Sequence, residues 1–299
     1  MTPEQQARAQ HGGRPRALLV EHSGPSALVE DLGRSGLAHL GVAGSGALDR
    51  AALTLANRLV GNPAGAAGLE LLGGGFAARF SGTHWFAVAG AWGDLRLDGR
   101  RIAPYTAARA ADGALLELGA PERGIRYLLA VRGGFDEPPV LGSRSRDTLA
   151  GLGPAPVSAG RVLPIGVEPE ASVPVLDQEA AFPPPVEAVT LGLLPGPRAD
   201  WLTPASLAGL VDGEWRLSPD SDRVGARLEG RPLHRHAGEL PSEATVPGAI
   251  QVPPSGSPTI LLADRPVTGG YPVVAVVDPA SLDRLAQVRP GQAVRFRHV

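Results

Sequence analysis

The stretch "TILLADRPVTGGYPVVAVV", residues 259–277, contains two apolar runs of strand length separated by a polar, glycine-containing turn. Short apolar runs bounded by Gly and Pro are typical of β-strands joined by tight turns. The turn also carries Asp264, Arg265, Thr268 and Tyr271, none of which a turn needs for its geometry. The stretch therefore predicts two strands and, between them, a candidate site.

The same punctuation continues through the whole chain. With 40 Gly and 30 Pro among 299 residues, short apolar segments repeatedly end at turn residues. This pattern predicts a mainly β protein, built as a barrel or a sandwich, with few helices. The predicted strands are residues 17–22, 26–30, 69–72, 76–80, 84–90, 114–119, 125–134, 188–194, 214–218, 249–253, 259–264, 272–277 and 293–297.

Three helices interrupt the strands. Residues 49–60 repeat their apolar positions at helical spacing, follow the capping residue Asp49 and stop at a Gly-Asn-Pro sequence. Two shorter helices are predicted at Thr203-Pro204 and Asp278-Pro279, where a capping residue precedes a proline at the first helical position.

The composition of the chain also suggests domain limits. Residues 1–15 are polar and lack the apolar core of a signal peptide, so we expect a disordered tail. Residues 166–187 are acidic, rich in proline and without a period, which predicts a linker. The expected subdomains are residues 16–165, which include the helix at 49–60, and residues 188–299.

Charge and residue usage exclude several kinds of chemistry. The 28 basic residues are all Arg, against 30 acidic residues, so no basic field for nucleic acid or an anionic membrane is expected. Without Lys there is no Schiff-base lysine, no P-loop lysine and no biotinyl-lysine, and without Cys there is no thiolate nucleophile. We expect a cytoplasmic protein that recognises anions through arginine and that has no metal site.

Standard catalytic motifs are absent, so the candidate sites are polar clusters in glycine-rich loops. The His pair within residues 234–236 lacks a third metal ligand and is expected to be a solvated surface. The clusters at 30–36, 44–57, 142–147 and 218–230 each combine Arg with Asp or Ser, which is typical either of ordinary turns or of anion recognition.

Seven segments in order resemble one known family. They include "VEDLGRSG" (29–36), "GVAGSGALDRAALTLANRLVGNP" (41–63), "SPDSDRVGARLEG" (218–230) and "PGAIQVPPSGSPTILLADRPVTGGYP" (247–272). These are similar to segments of the biotin-dependent carboxyltransferase and allophanate hydrolase subunit 2 family, also called KipA-like, over roughly residues 17 to 297. The resemblance implies two β-barrel-like subdomains, of which the C-terminal one is cyclophilin-like.

The resemblance also implies a function and partners. It points to one subunit of an ATP-dependent 5-oxoprolinase, an assembly that opens the lactam of 5-oxo-L-proline to L-glutamate while ATP, accompanied by Mg²⁺, is hydrolysed. The implied partners are a KipI-like subunit and a LamB/YcsF-like subunit, and biotin is not expected on this chain. Two alternatives remain, a urea or allophanate type of carboxyltransferase component and a regulatory protein that binds a KipI-like partner. A prolyl isomerase function is not favoured, because a shared fold does not carry a site.

The sequence departs from the family pattern at several positions. Related sequences usually have Gln-Asp where this chain has Glu30-Asp31, and Gly-Asp where it has Gly166-Val167. Related sequences usually have Gln-Thr before the Thr-Gly-Gly sequence, where this chain has Pro266-Val267 before Thr268. An amide exchanged for a carboxylate at residue 30 and a hydroxyl lost next to Thr268 are expected to change the substrate or to weaken activity.

The predicted site residues fall into two groups. We expect Arg223 to present a fixed positive fork to a ligand, in which case Arg223→Ala weakens binding and leaves stability nearly unchanged. If the polar residues only pair with one another, the same substitution lowers stability instead. The catalytic candidates are Asp264, Thr268 and Tyr271, expected to share a cleft with Gln251, Ser221 and Arg223. The substrate- or nucleotide-binding candidates are Asp31, Arg34, Ser45, Asp49, Asn57, Ser143, Arg144, Ser221, Arg223, Arg227, Gln251, Gly269 and Gly270.

Overall fold

The computed structural model describes residues 16–174 and 183–299. The predicted tail at 1–15 and residues 175–182 of the predicted linker lie outside the described residues. Within the rest, the prediction of a mainly β fold with two barrel-like subdomains is confirmed.

The first subdomain is a curled sheet of nine strands. The strands are β1 (Ala17–Ser23), β2 (Ser26–Glu30), β3 (Gly68–Leu72), β4 (Phe76–Ser81), β5 (His84–Leu97), β6 (Arg100–Arg101), β7 (Ala108–Ala110), β8 (Leu115–Val131) and β9 (Val162–Pro164). Six of them lie in the order β2-β3-β8-β4-β1-β9, and β5 pairs with β8, β6 and β7. The inner face buries large apolar side chains, among them Phe76, Phe80 and Phe86.

One long strand replaces two predicted ones. The sequence predicted separate strands at 114–119 and 125–134, because a Pro and a Gly lie between them. In the structure β8 runs from Leu115 to Val131 and pairs along its length with β5, which shifts register three times between Gly90 and Leu95. Such bulges absorb the irregular residues without ending the strand.

Helix α1 (Arg50–Leu59) packs against this sheet. Its N-cap is Asp49, whose side chain accepts the N–H of Ala52, so this part of the prediction is confirmed. The apolar face of the helix, with Leu53 and Ala56, is buried with Ala87 and Leu128 of the sheet.

The second subdomain is a closed barrel of seven strands with a separate two-stranded ladder. The strands in chain order are β10 (Val189–Pro195), β11 (Trp215–Leu217), β12 (Gly225–Glu229), β13 (Glu243–Ala244), β14 (Ala249–Gln251), β15 (Thr259–Leu261), β16 (Thr268–Gly269), β17 (Val273–Val277) and β18 (Ala293–His298). The barrel order is β10-β17-β14-β15-β12-β11-β18, and β13 pairs separately with β16. The barrel core is centred on Trp215, Ile250, Ile260 and Val294.

Two helices flank the barrel, α2 (Pro204–Asp212) and α3 (Pro279–Ala286). Thr203 caps α2 by accepting the N–H of Ser206, as predicted. The predicted side-chain cap of α3 is wrong, because Asp278 makes no capping hydrogen bond, although the proline does start the helix. Strand β12 was not predicted, because its polar residues and glycines were assigned to a turn cluster.

The two subdomains are joined by the amide of Gln287, which is buried just after α3. Its oxygen accepts the N–H groups of Ile125 and Arg126, both at 3.1 Å. Its nitrogen donates to the Asp49 carboxylate at 2.6 Å and to the carbonyl of Arg126 at 3.0 Å. Because every hydrogen-bonding position of the amide is used, this side chain fixes the barrel against both the sheet and helix α1.

We expect Gln287→Ala to lower the free energy of unfolding by about 1–3 kcal/mol, the range for leaving buried polar groups unpaired. Chemical denaturation measures the change. Gln292→Ala is the matched control: Gln292 donates to two exposed carbonyls, at Pro185 and Glu187, which water can satisfy after truncation. Equal losses in the two variants would contradict the joining role of Gln287.

Candidate functional site

Two loops of the first subdomain are held together by the carboxylate of Asp31, immediately after β2. One oxygen accepts the N–H of Gly33 at 2.7 Å and the hydroxyls of Ser143 and Ser145, both at 2.6 Å. The other oxygen accepts the N–H of Arg144 at 2.7 Å. Asp31 and Ser143 were predicted to bind a ligand, but in the structure they satisfy each other.

At the junction with the barrel, the guanidinium of Arg223 is buried among carboxylates. Nη1 donates to Glu70 at 2.6 Å, and Nε donates to Asp264 at 2.9 Å. Nη2 donates to the carbonyl of Gly46 at 2.6 Å and lies 3.3 Å from a Glu30 oxygen. Burial alone lowers the pKa of Arg223, but Glu70, Glu30 and Asp264 raise it well above the usual value, so the group is cationic.

Asp264 is fully buried and links the barrel to two loops of the first subdomain. It accepts the Ser45 hydroxyl at 2.6 Å and both the N–H and the hydroxyl of Thr148 at 3.0 and 2.7 Å. Burial raises the pKa of Asp264, but Arg223 and these hydrogen bonds more than offset it and hold the pKa below the usual value. Ser45 adopts a positive φ of 52°, an uncommon conformation for a residue with a side chain.

Glu30 also faces Arg223, but its hydrogen bonding and its pKa differ from those of Asp264. Its side chain is completely buried, and within the described residues neither carboxyl oxygen has a hydrogen-bond partner. Burial raises the pKa of Glu30 well above its usual value; Arg223 opposes the shift, whereas Glu70 and Asp264 add to it. Burial therefore favours the protonated form of Glu30, against the attraction of Arg223.

A neutral Glu30 balances the charges of the cluster. Arg126 lies 3.5 Å from Glu70, so the buried group contains two guanidinium ions, Arg223 and Arg126. With Glu30 protonated, they face two carboxylates, Glu70 and Asp264. A protonated carboxyl carries the same charge as an amide, so in this state Glu30 is electrostatically equivalent to Gln.

A pocket of about 210 Å³ opens beside this cluster, between the two subdomains. The described residues that line it include three arginines, Arg34, Arg50 and Arg265, and no Asp or Glu. Ser45 is also on its wall. The remaining walls are mainly small or apolar and comprise Leu32, Ser35, Gly44, Ala47, Leu48, Pro247, Leu262, Ala263, Leu282 and Ala286. The structure therefore brings together the predicted residues Arg34 and Ser45 at the pocket and Asp264 and Arg223 directly behind it.

The structure places the remaining barrel candidates elsewhere. Thr268 is exposed and belongs to the small β13–β16 ladder. Tyr271 is half exposed, and its carbonyl accepts the amide of Gln251 at 3.2 Å. Thr268, Tyr271 and Gln251 are not among the described residues that contact the Asp264 carboxylate or line the pocket. Gly269 ends β16, and Gly270 directly follows it.

Five further candidates hold local structure. Asp49 caps α1, and Asn57 closes its C-terminus by donating to the carbonyls of Ala64 and Ala66. Arg144 donates to the Glu137 carbonyl and to the Asp136 carboxylate. Ser221 lies in the turn before β12, and Arg227 lies in β12 itself. The Ser221 hydroxyl accepts the N–H of Arg227.

Sequence reasoning missed three contributors to the site. Glu70 lies between leucines in a strand predicted to be buried, and a lone acid there is a signal for a buried partner. Arg265 and Arg50 lie in segments that the sequence analysis singled out, but neither was assigned to the site. Which arginines would meet in one pocket depends on the packing of the two subdomains.

Comparisons with known proteins identify the family. A family model described as "Carboxyltransferase domain, subdomain A and B" matches residues 40–298. The chain is 36% identical over 283 residues to the C component of the 5-oxoprolinase of Escherichia coli K12, and the match covers 93% of this chain and 90% of that protein. It is 32% identical to the urea amidolyase of Lachancea kluyveri, covering 95% of this chain but 17% of that protein.

A solved structure supports the fold. The crystal structure of TTHA0988 superposes with a TM-score of 0.85 at 40% identity, covering 95% of this chain. The chain spans 56% of that solved chain. Among residues 16–174 and 183–299, no helix is long and apolar enough to cross a membrane, and no group of three or more His, Asp or Glu residues is placed to hold a metal ion.

We expect Arg223→Ala to lower the free energy of unfolding by about 3–5 kcal/mol, because it leaves buried carboxylates without their cation. Thermal and chemical denaturation measure the loss. Arg216→Ala is the control, since Arg216 is exposed on the neighbouring strand β11. A stable Arg223→Ala protein would restore the original expectation that this guanidinium serves a ligand.

We expect Glu30→Gln to remove part of the pH dependence of stability. The folded pKa of Glu30 is raised, so the native state holds a proton that the unfolded state has lost, and wild-type stability falls as pH rises from about 4.5 toward the folded pKa. Urea titrations at a series of pH values should show that the stability of Glu30→Gln falls less steeply than that of the wild type as pH rises above about 4.5.

A remaining decline between about pH 4 and 7 belongs to Asp49, because burial raises the pKa of this group to about 7. The Asp49→Asn variant separates the two groups. If the Glu30→Gln and wild-type profiles are parallel up to alkaline pH, Glu30 is ionised in the folded protein.

Proposed function

The chain belongs to the family of carboxyltransferase domains with subdomains A and B, and we propose that it is the corresponding subunit of an ATP-dependent 5-oxoprolinase. The observation that carries the proposal is the match along nearly the full length of a relative with that name, which covers 90% of it. The urea amidolyase match is confined to 17% of a much longer protein.

The pocket at the junction is suited to part of this chemistry. A lactam carbonyl is stabilised by resonance, so phosphorylation of its oxygen supplies a leaving group for ring opening. Charge that develops on such an oxygen is stabilised by donors already fixed in place. Arg34 and Arg265 on the pocket wall are cationic and suit an anionic substrate such as 5-oxo-L-proline, whereas the Ser45 hydroxyl on that wall already donates to Asp264.

Two donors that the sequence offered to substrate or nucleotide are engaged within the described part of the chain. The Ser143 hydroxyl and the Arg144 main-chain N–H both donate to Asp31. The chain also has no Lys. We therefore propose that ATP and Mg²⁺ are held mainly by the other subunits, a KipI-like and a LamB/YcsF-like protein, and that biotin is not carried here.

Reconstitution tests the proposed activity. The chain is co-purified with its KipI-like and LamB/YcsF-like neighbours, and phosphate release is measured with and without 5-oxo-L-proline. We expect release that depends on all three proteins and on the lactam. A folded three-protein complex that shows no stimulation by 5-oxo-L-proline would overturn the proposal.

The same assay addresses the second candidate, a carboxyltransferase component, which the urea amidolyase match favours. Urea and allophanate replace the lactam, and a biotin carboxylase is added. Tight binding of a KipI-like partner without affinity for ATP or lactam in the complex would instead support a regulatory protein.

A further inference from the structure

The pocket at the junction contains a buried guanidinium without a counter-charge. The side chain of Arg34 is 3% exposed. Its Nε and Nη2 donate to two carbonyls, those of Val140 at 3.4 Å and Ser145 at 2.5 Å. Its Nη1 has no hydrogen-bond partner within the described part of the chain, and no carboxylate there lies within salt-bridge distance.

Other buried arginines of this protein are paired. Arg223 contacts three carboxylates, Arg126 faces Glu70, and Arg132 contacts Glu168. A buried charge is normally neutralised by a partner because desolvation is expensive. The unpaired state of Arg34 is therefore an exception within the same molecule.

A second arginine on the pocket wall repeats the feature. Arg265, from the turn after β15, is partly buried, and its Nε also lacks a partner among the described residues. Its Nη2 donates to the Thr245 carbonyl at 3.4 Å. Burial lowers the pKa of Arg265, and no acid raises it.

The neighbouring acids are already occupied. Asp264 and Glu70 balance Arg223 and Arg126, and burial favours the protonated form of Glu30. Asp283 lies near Arg50, the third arginine of the pocket wall, and accepts its main-chain N–H. Asp31 accepts four hydrogen bonds from the adjoining loops and is not on the pocket wall. The described residues that line the pocket therefore carry three positive charges and no negative one, on walls that are otherwise mainly apolar.

The size and lining of the pocket limit its ligand. A cavity of about 150 Å³ accommodates benzene, whereas sites for drug-sized ligands are about 300–1,000 Å³. At about 210 Å³, this pocket fits a small ring with one or two substituents and is too small for a nucleoside triphosphate. Leu48, Leu262 and Ala286 provide apolar contact for such a ring.

We propose that this pocket binds a small organic carboxylate with a compact, mainly apolar body, and that Arg34 and Arg265 hold the carboxylate between the two subdomains. The carbonyls of Val140 and Ser145 fix the plane of the Arg34 guanidinium, whose Nη1 is buried without a partner among the described residues. The identification of this carboxylate as 5-oxo-L-proline rests on the proposed function, whereas the ligand class rests on the pocket alone.

Calorimetric titration of the full chain tests the ligand class. The probes are 5-oxo-L-proline, cyclopentanecarboxylate, the neutral lactam pyrrolidin-2-one, inorganic phosphate and ATP. We expect the two carboxylates to bind, and pyrrolidin-2-one to bind about tenfold more weakly or worse, since it lacks the charge-assisted contact.

Two variants locate the binding. Arg265→Gln should weaken carboxylate binding by about tenfold, the scale of one charge-assisted hydrogen bond, while Arg109→Gln, on an exposed position of β7, should not. Gly44→Val should block the pocket: the nearest heavy atom to an added Cβ is the Arg34 carbonyl oxygen, at 3.7 Å, so the fold has room for the new side chain. Gly44→Ala serves as the smaller replacement if the valine variant unfolds.

The outcomes separate the two proposals. Binding of cyclopentanecarboxylate but not 5-oxo-L-proline, lost in Gly44→Val, supports the pocket and removes the proposed substrate from it. Carboxylate binding that survives both Gly44→Val and Arg265→Gln overturns the pocket proposal. The pocket proposal is also overturned if neither carboxylate binds. Equally tight binding of phosphate or ATP that these variants abolish overturns it as well.

Discussion

The ion pairs of Arg223 with Glu70 and Asp264 are the interaction on which the arrangement of the two subdomains depends. Arg223 and Asp264 come from the barrel, whereas Glu70 and Glu30 come from the curled sheet. Burying these groups is costly, and the cost is recovered only when the geometry satisfies all of them at once. A shift of one subdomain relative to the other would leave charges unpaired in the interior, so the cluster selects one relative orientation more strongly than apolar packing would.

The shape of the pocket follows from this constraint. The Asp264 carboxylate accepts hydrogen bonds from the hydroxyls of Ser45 and Thr148. Ser45 is thereby held in place with a positive φ. Asp31 fixes the adjoining loops by accepting from Ser143 and Ser145. The loop that carries Arg34 is therefore positioned by side chains that are already satisfied, so Arg34 is held in place without a carboxylate of its own. Preorganisation of this kind reduces the ordering that a ligand would otherwise require.

The sequence was sufficient for most strands and helices but not for the site. Alternating apolar runs located β2 and β17, and the residues Asp49 and Thr203 located two helix starts, because these signals are local. Long β8 was divided in two because bulges in its partner strand leave no local signal. Arg223 and Asp264 were correctly singled out as buried polar groups that need partners, but their partner Glu70 is 153 residues from Arg223 along the chain. Thr268 and Tyr271 were grouped with Asp264 by proximity in sequence, whereas the chain turns between them and directs Asp264 inward.

The contrast between the two groups of arginines explains how the protein can keep a positive pocket next to a cluster of acids. If Glu30 were ionised, the cluster of Arg223, Arg126 and three carboxylates would carry a net negative charge, and in a poorly screened interior that charge would attract Arg34 and Arg265. Protonation of Glu30 removes the excess, as an amide at this position would. The neutral cluster can then act as a structural core while the arginines beside it remain available to an external anion. A glutamate at residue 30 is therefore compatible with a positive pocket beside the cluster, provided that the residue stays buried.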